Sequence, residues 1–213
     1  MAQSLPIVFH TRLFILLFCG FVVATTVGVL SHESGHYFMA KYLGFTGLKM
    51  RYNSTSWRPS EGTERRATHR EGLMMIAAGP VQTVMTGTIG VALLFIFRKN
   101  YRREQLLTWQ WLIVFLALFW LREISDLVRE FYLVHFTRNH ALSGDEFLLS
   151  KDMGFSPWFL NVVLGGIALI VLGLIIYRFV PALQRFTFLT AGLLGGITGA
   201  VLWLGILGPQ LMP

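Results

Sequence analysis

Apolar positions in this chain come in long unbroken blocks rather than in the short alternating patterns of a soluble fold. Five blocks stand out, at Leu13–Leu30, Gly72–Phe97, Leu106–Leu121, Pro157–Tyr177 and Phe186–Gly208. At 1.5 Å of rise per residue, each crosses or nearly crosses a hydrocarbon layer of about 30 Å. The pattern predicts an all-α polytopic membrane protein with about five transmembrane helices. In the third block the apolar positions Leu127, Val128, Phe131, Leu133 and Val134 extend the helical pattern toward His135. Between the first two blocks, Leu48, Met50 and Tyr52 alternate with Lys49, Arg51 and Asn53. That period predicts a short strand or β-hairpin in an otherwise polar loop.

Composition sharpens this picture. Only 14% of the residues are charged and 54% are hydrophobic, against about 25% charged in a soluble domain. The lipid bilayer is therefore the expected surroundings. The net charge of +7 would suit a nucleic-acid partner, but no basic helix or aromatic-basic motif accompanies it. Arginines flanking the spans account for it more simply. Arg12 followed by an apolar run has the look of a signal peptide, yet the run exceeds the usual 7–15 residues, so a retained first span is expected. Five spans leave seven Lys and Arg on the N-terminal side and eleven on the other, which also holds ten of the eleven acids. The raw basic count turns that second side toward the cytoplasm. The glycines Gly192, Gly195, Gly196 and Gly199 form two i,i+4 pairs, which read as close helix packing.

The chemistry sits at the end of the first block, in His32-Glu33-Ser34-Gly35-His36. In H-E-x-x-H on a helix, two imidazoles four residues apart share one face and can share one metal, while the glutamate beside them can take a proton from water. Ionisable residues buried in a span are costly and therefore point to function. Cys19 is the only cysteine, so thiolate ligation is excluded and a zinc site must use His and carboxylate. A catalytic zinc takes three protein ligands and keeps one position open. By helix rise, Asp126 reaches the depth of His32 and His36 and is the first choice for the third ligand. Glu123, at i,i+3 from it, is a fallback. Asp145, in Ser143-Gly144-Asp145-Glu146, is the competitor, on a segment that could fold back under the helices. His135 and His140 are weaker options, and His10 and His69 read as bystanders.

These residues resemble the site-2 protease family of intramembrane zinc metalloproteases. A second point of contact is Ala78-Gly79-Pro80-Val81-Gln82, similar to the family's Gly-Pro-x-x-Asn element, with Gln82 where the family usually has Asn. The family's Leu-Asp-Gly motif is missing, and Ser125-Asp126-Leu127 stands in the corresponding region. Gly144-Asp145-Glu146, Met153-Gly154 and Pro157-Trp158 look like the compact, divergent bacterial and plant-type branch. The resemblance implies a protease core over residues 1–156, with three spans, and two accessory C-terminal helices over 157–213. It implies one zinc per chain, Glu33 as general base, and Gly79, Pro80 and Gln82 as substrate-positioning residues. The implied reaction is peptide hydrolysis in a transmembrane protein substrate, with the active site toward the cytoplasm. Rival readings are a membrane zinc hydrolase of a lipid or small amide, and a non-catalytic zinc-binding or carrier protein.

Overall fold

A computed structural model describes residues 8–56, 66–102, 105–136 and 144–213. His140 and Ser143 lie outside the described residues. The first apolar block extends at both ends into a 32-residue helix, α1 (Thr11–Tyr42). Two short antiparallel strands follow, β1 (Lys49–Met50) and β2 (Thr55–Ser56), with Lys49 opposite Ser56 and Met50 opposite Thr55. Helix α2 (His69–Ile96) starts at a reciprocal cap. The Thr68 hydroxyl accepts from the Glu71 N–H, and the Glu71 carboxylate accepts from the Thr68 N–H at 2.9 Å. Two orphan donors of the first turn are satisfied in this way.

The third block differs from expectation. It forms a short helix, α3 (Thr108–Ala117), then a 3-10 turn at Leu118–Trp120, then α4 (Leu121–Phe136). Among the described residues, four helices are long and apolar enough to cross a membrane, at Thr11–Tyr42, His69–Ile96, Phe159–Phe179 and Ala182–Leu211. The third block is not among them, because its apolar part supplies only about 24 Å of rise before Arg122 and Glu123. The helical pattern does continue past it to Phe136. Glu123, Asp126 and Glu130 are buried on one face of α4, which turns their charges into the protein and away from lipid.

After α4 come α5 (Asp145–Asp152), α6 (Phe159–Leu174) with a π-helical end at Ile175–Phe179, and α7 (Ala182–Ala200). A π-helical stretch at Val201–Leu207 then leads into α8 (Gly208–Leu211). Helix α7 packs along α1, where Gly195 meets the Phe18 backbone and Gly199 meets Thr25. Gly192 meets the Phe21 ring as well, while Gly196 faces open space, so three of the four glycines lie in the helix contact. An apolar core of Leu17, Phe21, Trp111, Val114, Phe188 and Ala191 fills the half of the protein nearer the start of α1. The buried ionisable residues His32, Glu33, Glu123, Asp126, Glu130 and Glu146 lie outside that core.

The predicted strand ends sooner than its alternation suggested. Beyond Met50, the Tyr52 backbone pairs with the end of the chain. Its N–H donates to the Met212 carbonyl at 3.1 Å and its carbonyl accepts from the Trp203 indole at 3.0 Å. Those groups are thereby removed from the β ladder.

Candidate metal centre

His32, Glu33 and His36 occupy the last third of α1, past its uncharged stretch. The i,i+4 spacing brings the two imidazoles together, with Nε2 atoms 3.1 Å apart. Close contact with α2 fixes them. A Cβ at Gly35 would collide with the Ala78 carbonyl, and a Cβ at Gly79 would collide with both Nε2 atoms. Only glycine at these two positions lets the helices meet with the rings between them. The His36 Nδ1 bonds the Met75 carbonyl at 2.7 Å. The His32 Nδ1 lies 3.1 Å from the Thr83 hydroxyl, which itself donates to the Gly79 carbonyl at 3.2 Å.

These partners assign the tautomers. A carbonyl can only accept, so His36 carries its proton on Nδ1. A hydroxyl whose proton goes to Gly79 also accepts, so His32 does the same. Both Nε2 lone pairs therefore point at one another. The carboxylate of Asp145 completes the group, with Oδ2 3.0 Å from His32 Nε2 and 3.1 Å from His36 Nε2. Three electron-rich atoms converge on one point, an arrangement that a cation resolves. Ligands held about 2.0–2.1 Å from a tetrahedral zinc lie about 3.3 Å from each other, close to the separations here. Backbone and hydroxyl partners on the outer ring nitrogens are the usual second layer of a metal site. His32, His36 and Asp145 are thus a group that could hold a metal ion.

Asp126, the first choice from the sequence, is not in this group. Its carboxylate lies 3.3 Å from the Arg122 guanidinium and 3.9 Å from that of Arg129. The carboxylate is turned to the arginines of its own helix. Asp145 arrives instead as the first residue of α5, which packs against α2 and α6. Gly144 caps that helix where a Cβ would fall 3.1 Å from the Glu130 Oε1. At the other end, the Ser150 hydroxyl donates to the Glu146 carbonyl and accepts from the Leu160 N–H, tying α5 to the start of α6.

Glu123 is 2% exposed and stands outside the metal group. His135 bonds its own helix at the Phe131 carbonyl, and His69 pairs with Asp152 at 2.9 Å. Glu146, next to Asp145, has its carboxyl pushed up to about 7 by burial and then by the neighbouring Asp126 and Asp145. Gln82 donates to the hydroxyls of Ser31 and Thr86. It lines a groove between α1 and α2 with Phe38, Val81 and Met85. Pro80 lies inside α2, one residue from the Gly79 contact.

Sequence reasoning missed Met75, Thr83 and Thr55. The first two were within reach, since Met75, Gly79 and Thr83 follow one another at i,i+4 and so share the α2 face that meets the histidines. Thr55 carried no such signal. Its hydroxyl is 3.0 Å from both the backbone carbonyl and the carboxylate Oε2 of Glu33.

No protein-family model, no curated protein and no solved structure matches this chain. Its functional reading therefore rests on its own residues.

Proposed function

We propose that the chain is an intramembrane zinc metalloprotease of the kind its motifs resemble, hydrolysing a peptide bond of a transmembrane protein substrate. The observation that carries this reading is the convergence of His32 Nε2, His36 Nε2 and Asp145 Oδ2 beside Glu33, at the end of an apolar span. Two imidazoles and one carboxylate form the donor set of hydrolytic zinc sites. When bound, zinc would polarise an acyl oxygen and acidify a water molecule.

Glu33, 5% exposed, takes the proton of the attacking water and passes it to the leaving amide nitrogen. A substrate helix must unwind locally, because its peptide groups are shielded by their own hydrogen bonds. The hairpin over Glu33 offers backbone groups for pairing with an unwound strand. The α1–α2 groove is lined by Gly35, Ala78 and Gln82, next in the chain to His36 and Gly79. A substrate segment lying in it would meet Gln82, which gives that residue a positioning role, with Gly79 and Pro80 shaping the helix contact behind it. A carrier reading fits less well, since the second, fourth and fifth apolar blocks hold no charged residue to form a path.

The test uses purified full-length protein in lipid nanodiscs with single-span substrates. Glu33→Gln should keep one zinc per chain by elemental analysis and lose cleavage by about 10²–10⁴-fold. Undiminished cleavage in that variant would sink the assignment. A lipid or amide hydrolase would instead leave every protein substrate intact while turning over its own substrate through Glu33.

A further inference from the structure

Contacts at its two ends link the hairpin to the C-terminal span and to Glu33. At one end, the Trp203 indole donates to the Tyr52 carbonyl at 3.0 Å, and the Tyr52 N–H donates to the Met212 carbonyl at 3.1 Å. At the other, the Thr55 hydroxyl reaches the Glu33 carboxylate at 3.0 Å. Met50 and Thr55 are paired across the ladder, and the Arg51 N–H bonds the Ser54 carbonyl at 2.7 Å. A displacement at Tyr52 is therefore carried around a tight four-residue turn to Thr55.

The helix geometry of the last span is built around this grip. Trp203 and Gly208 both meet Tyr52, the first through its indole and the second by backbone contact. A Cβ at Gly208 would fall 2.8 Å from the Tyr52 Cβ. In an α-helix, positions five apart diverge by about 140° around the axis. The stretch Val201–Leu207 is π-helical, and its i→i+5 bonding brings such positions onto one side. Trp203 is 6% exposed. Single π turns in otherwise α-helical spans often mark functional positions.

We infer that Trp203 is a positioning residue for Glu33, acting through Tyr52, the hairpin and Thr55, so that the last span is part of the working site. This rests on the protease reading for its consequence, but not for the mechanical link. Thr55 can direct its proton to the carboxylate and hold it in one orientation. Trp203 keeps the hairpin close enough for that bond to form.

The experiment compares Trp203→Phe, Thr55→Val, Thr55→Ser and the Trp203→Phe/Thr55→Val double variant in full-length protein in nanodiscs. Amide hydrogen exchange over residues 49–56 reports the tether without reference to activity. Zinc content and steady-state cleavage of a single-span substrate report the base. Trp203→Phe keeps an aromatic ring but removes the N–H together with the pyrrole part of the indole, so exchange over 49–56 should rise at least fivefold with zinc content unchanged. Its kcat should fall about fivefold to twentyfold with KM nearly constant. Thr55→Val should lower kcat to a similar degree, and Thr55→Ser should recover most of that loss. The double variant should be no slower than Thr55→Val alone, because the two act in series. Unchanged exchange in Trp203→Phe, or multiplying kcat losses in the double variant, would overturn the inference. Absence of Glu33-dependent cleavage in the unaltered protein would overturn the protease reading instead, and the exchange measurement would still decide the tether.

Discussion

Helix α1 passes through two environments that are held together differently. Around Leu17 and Phe21 it is packed by rings, with Phe21 5.6 Å from Phe188 and Phe188 stacked 5.7 Å from Trp111. Around His32 and Glu33 it is surrounded by polar groups with particular partners, among them the side chains of Thr83, Asp145 and Thr55 and the Met75 carbonyl. In a bilayer the first region gains little from leaving lipid, since acyl chains are as apolar as leucine. Its stability comes from close contact. The second region carries a cost for every polar group left without a partner. The apolar half is therefore held by fit of shape, whereas the polar half is specified partner by partner.

The largest expected break in that contrast is at the third ligand. Asp145→Asn should reduce zinc from one per chain to near zero at micromolar metal, measured by elemental analysis after gel filtration. Asp126→Asn should leave zinc bound, and the opposite result would return Asp126 to the site. A smaller effect is expected at Gly79→Ala. The added methyl collides with both Nε2 atoms, so zinc affinity should fall about 10–100-fold, while circular dichroism stays unchanged.

In the apolar half, Phe188→Ala should lower unfolding stability by about 2 kcal/mol. That is the cavity contribution alone, because transfer from lipid adds little. Zinc affinity should not move, and a coupled loss of zinc would show that the two halves are not separable.

The smallest effect is at Glu146, whose carboxyl is raised from 4.5 to about 7. A raised carboxyl costs stability only when it ionises. The cost is absent below pH 4.5, grows through the interval and is complete above about pH 7. In zinc-free protein, Glu146→Gln should unfold at a higher temperature than the unaltered chain at pH 8. The two should coincide at pH 4, as a thermal-shift series would read.

Much of this was legible in the sequence because it depends on local period. Long apolar blocks gave the membrane helices, and the i,i+4 histidines gave two of the three converging donors. The Ala78-Gly79-Pro80 element marked the place where α2 meets them. The alternation at Leu48–Asn53 located the hairpin, although it ran past the strand's true end, because it could not register that Tyr52 pairs with Trp203 and Met212. The third block misled for a related reason. Its apolar pattern continued, but charges at Arg122 and Glu123 entered before a full crossing was complete.

The sequence by itself determined that this chain is an all-α membrane protein and that His32, Glu33 and His36 lie at the end of an apolar helix. Both follow from backbone periodicity, which any stretch of sequence carries within itself. Only the tertiary structure placed Asp145, and not Asp126, beside the two histidines. Rise along a helix fixes depth but not rotation. Asp126 turned to the arginines on its own helix, while Asp145 came in on α5 against α2. The same holds for Thr55 and Trp203, far apart in the chain and joined to one carboxylate only once the hairpin lies between them.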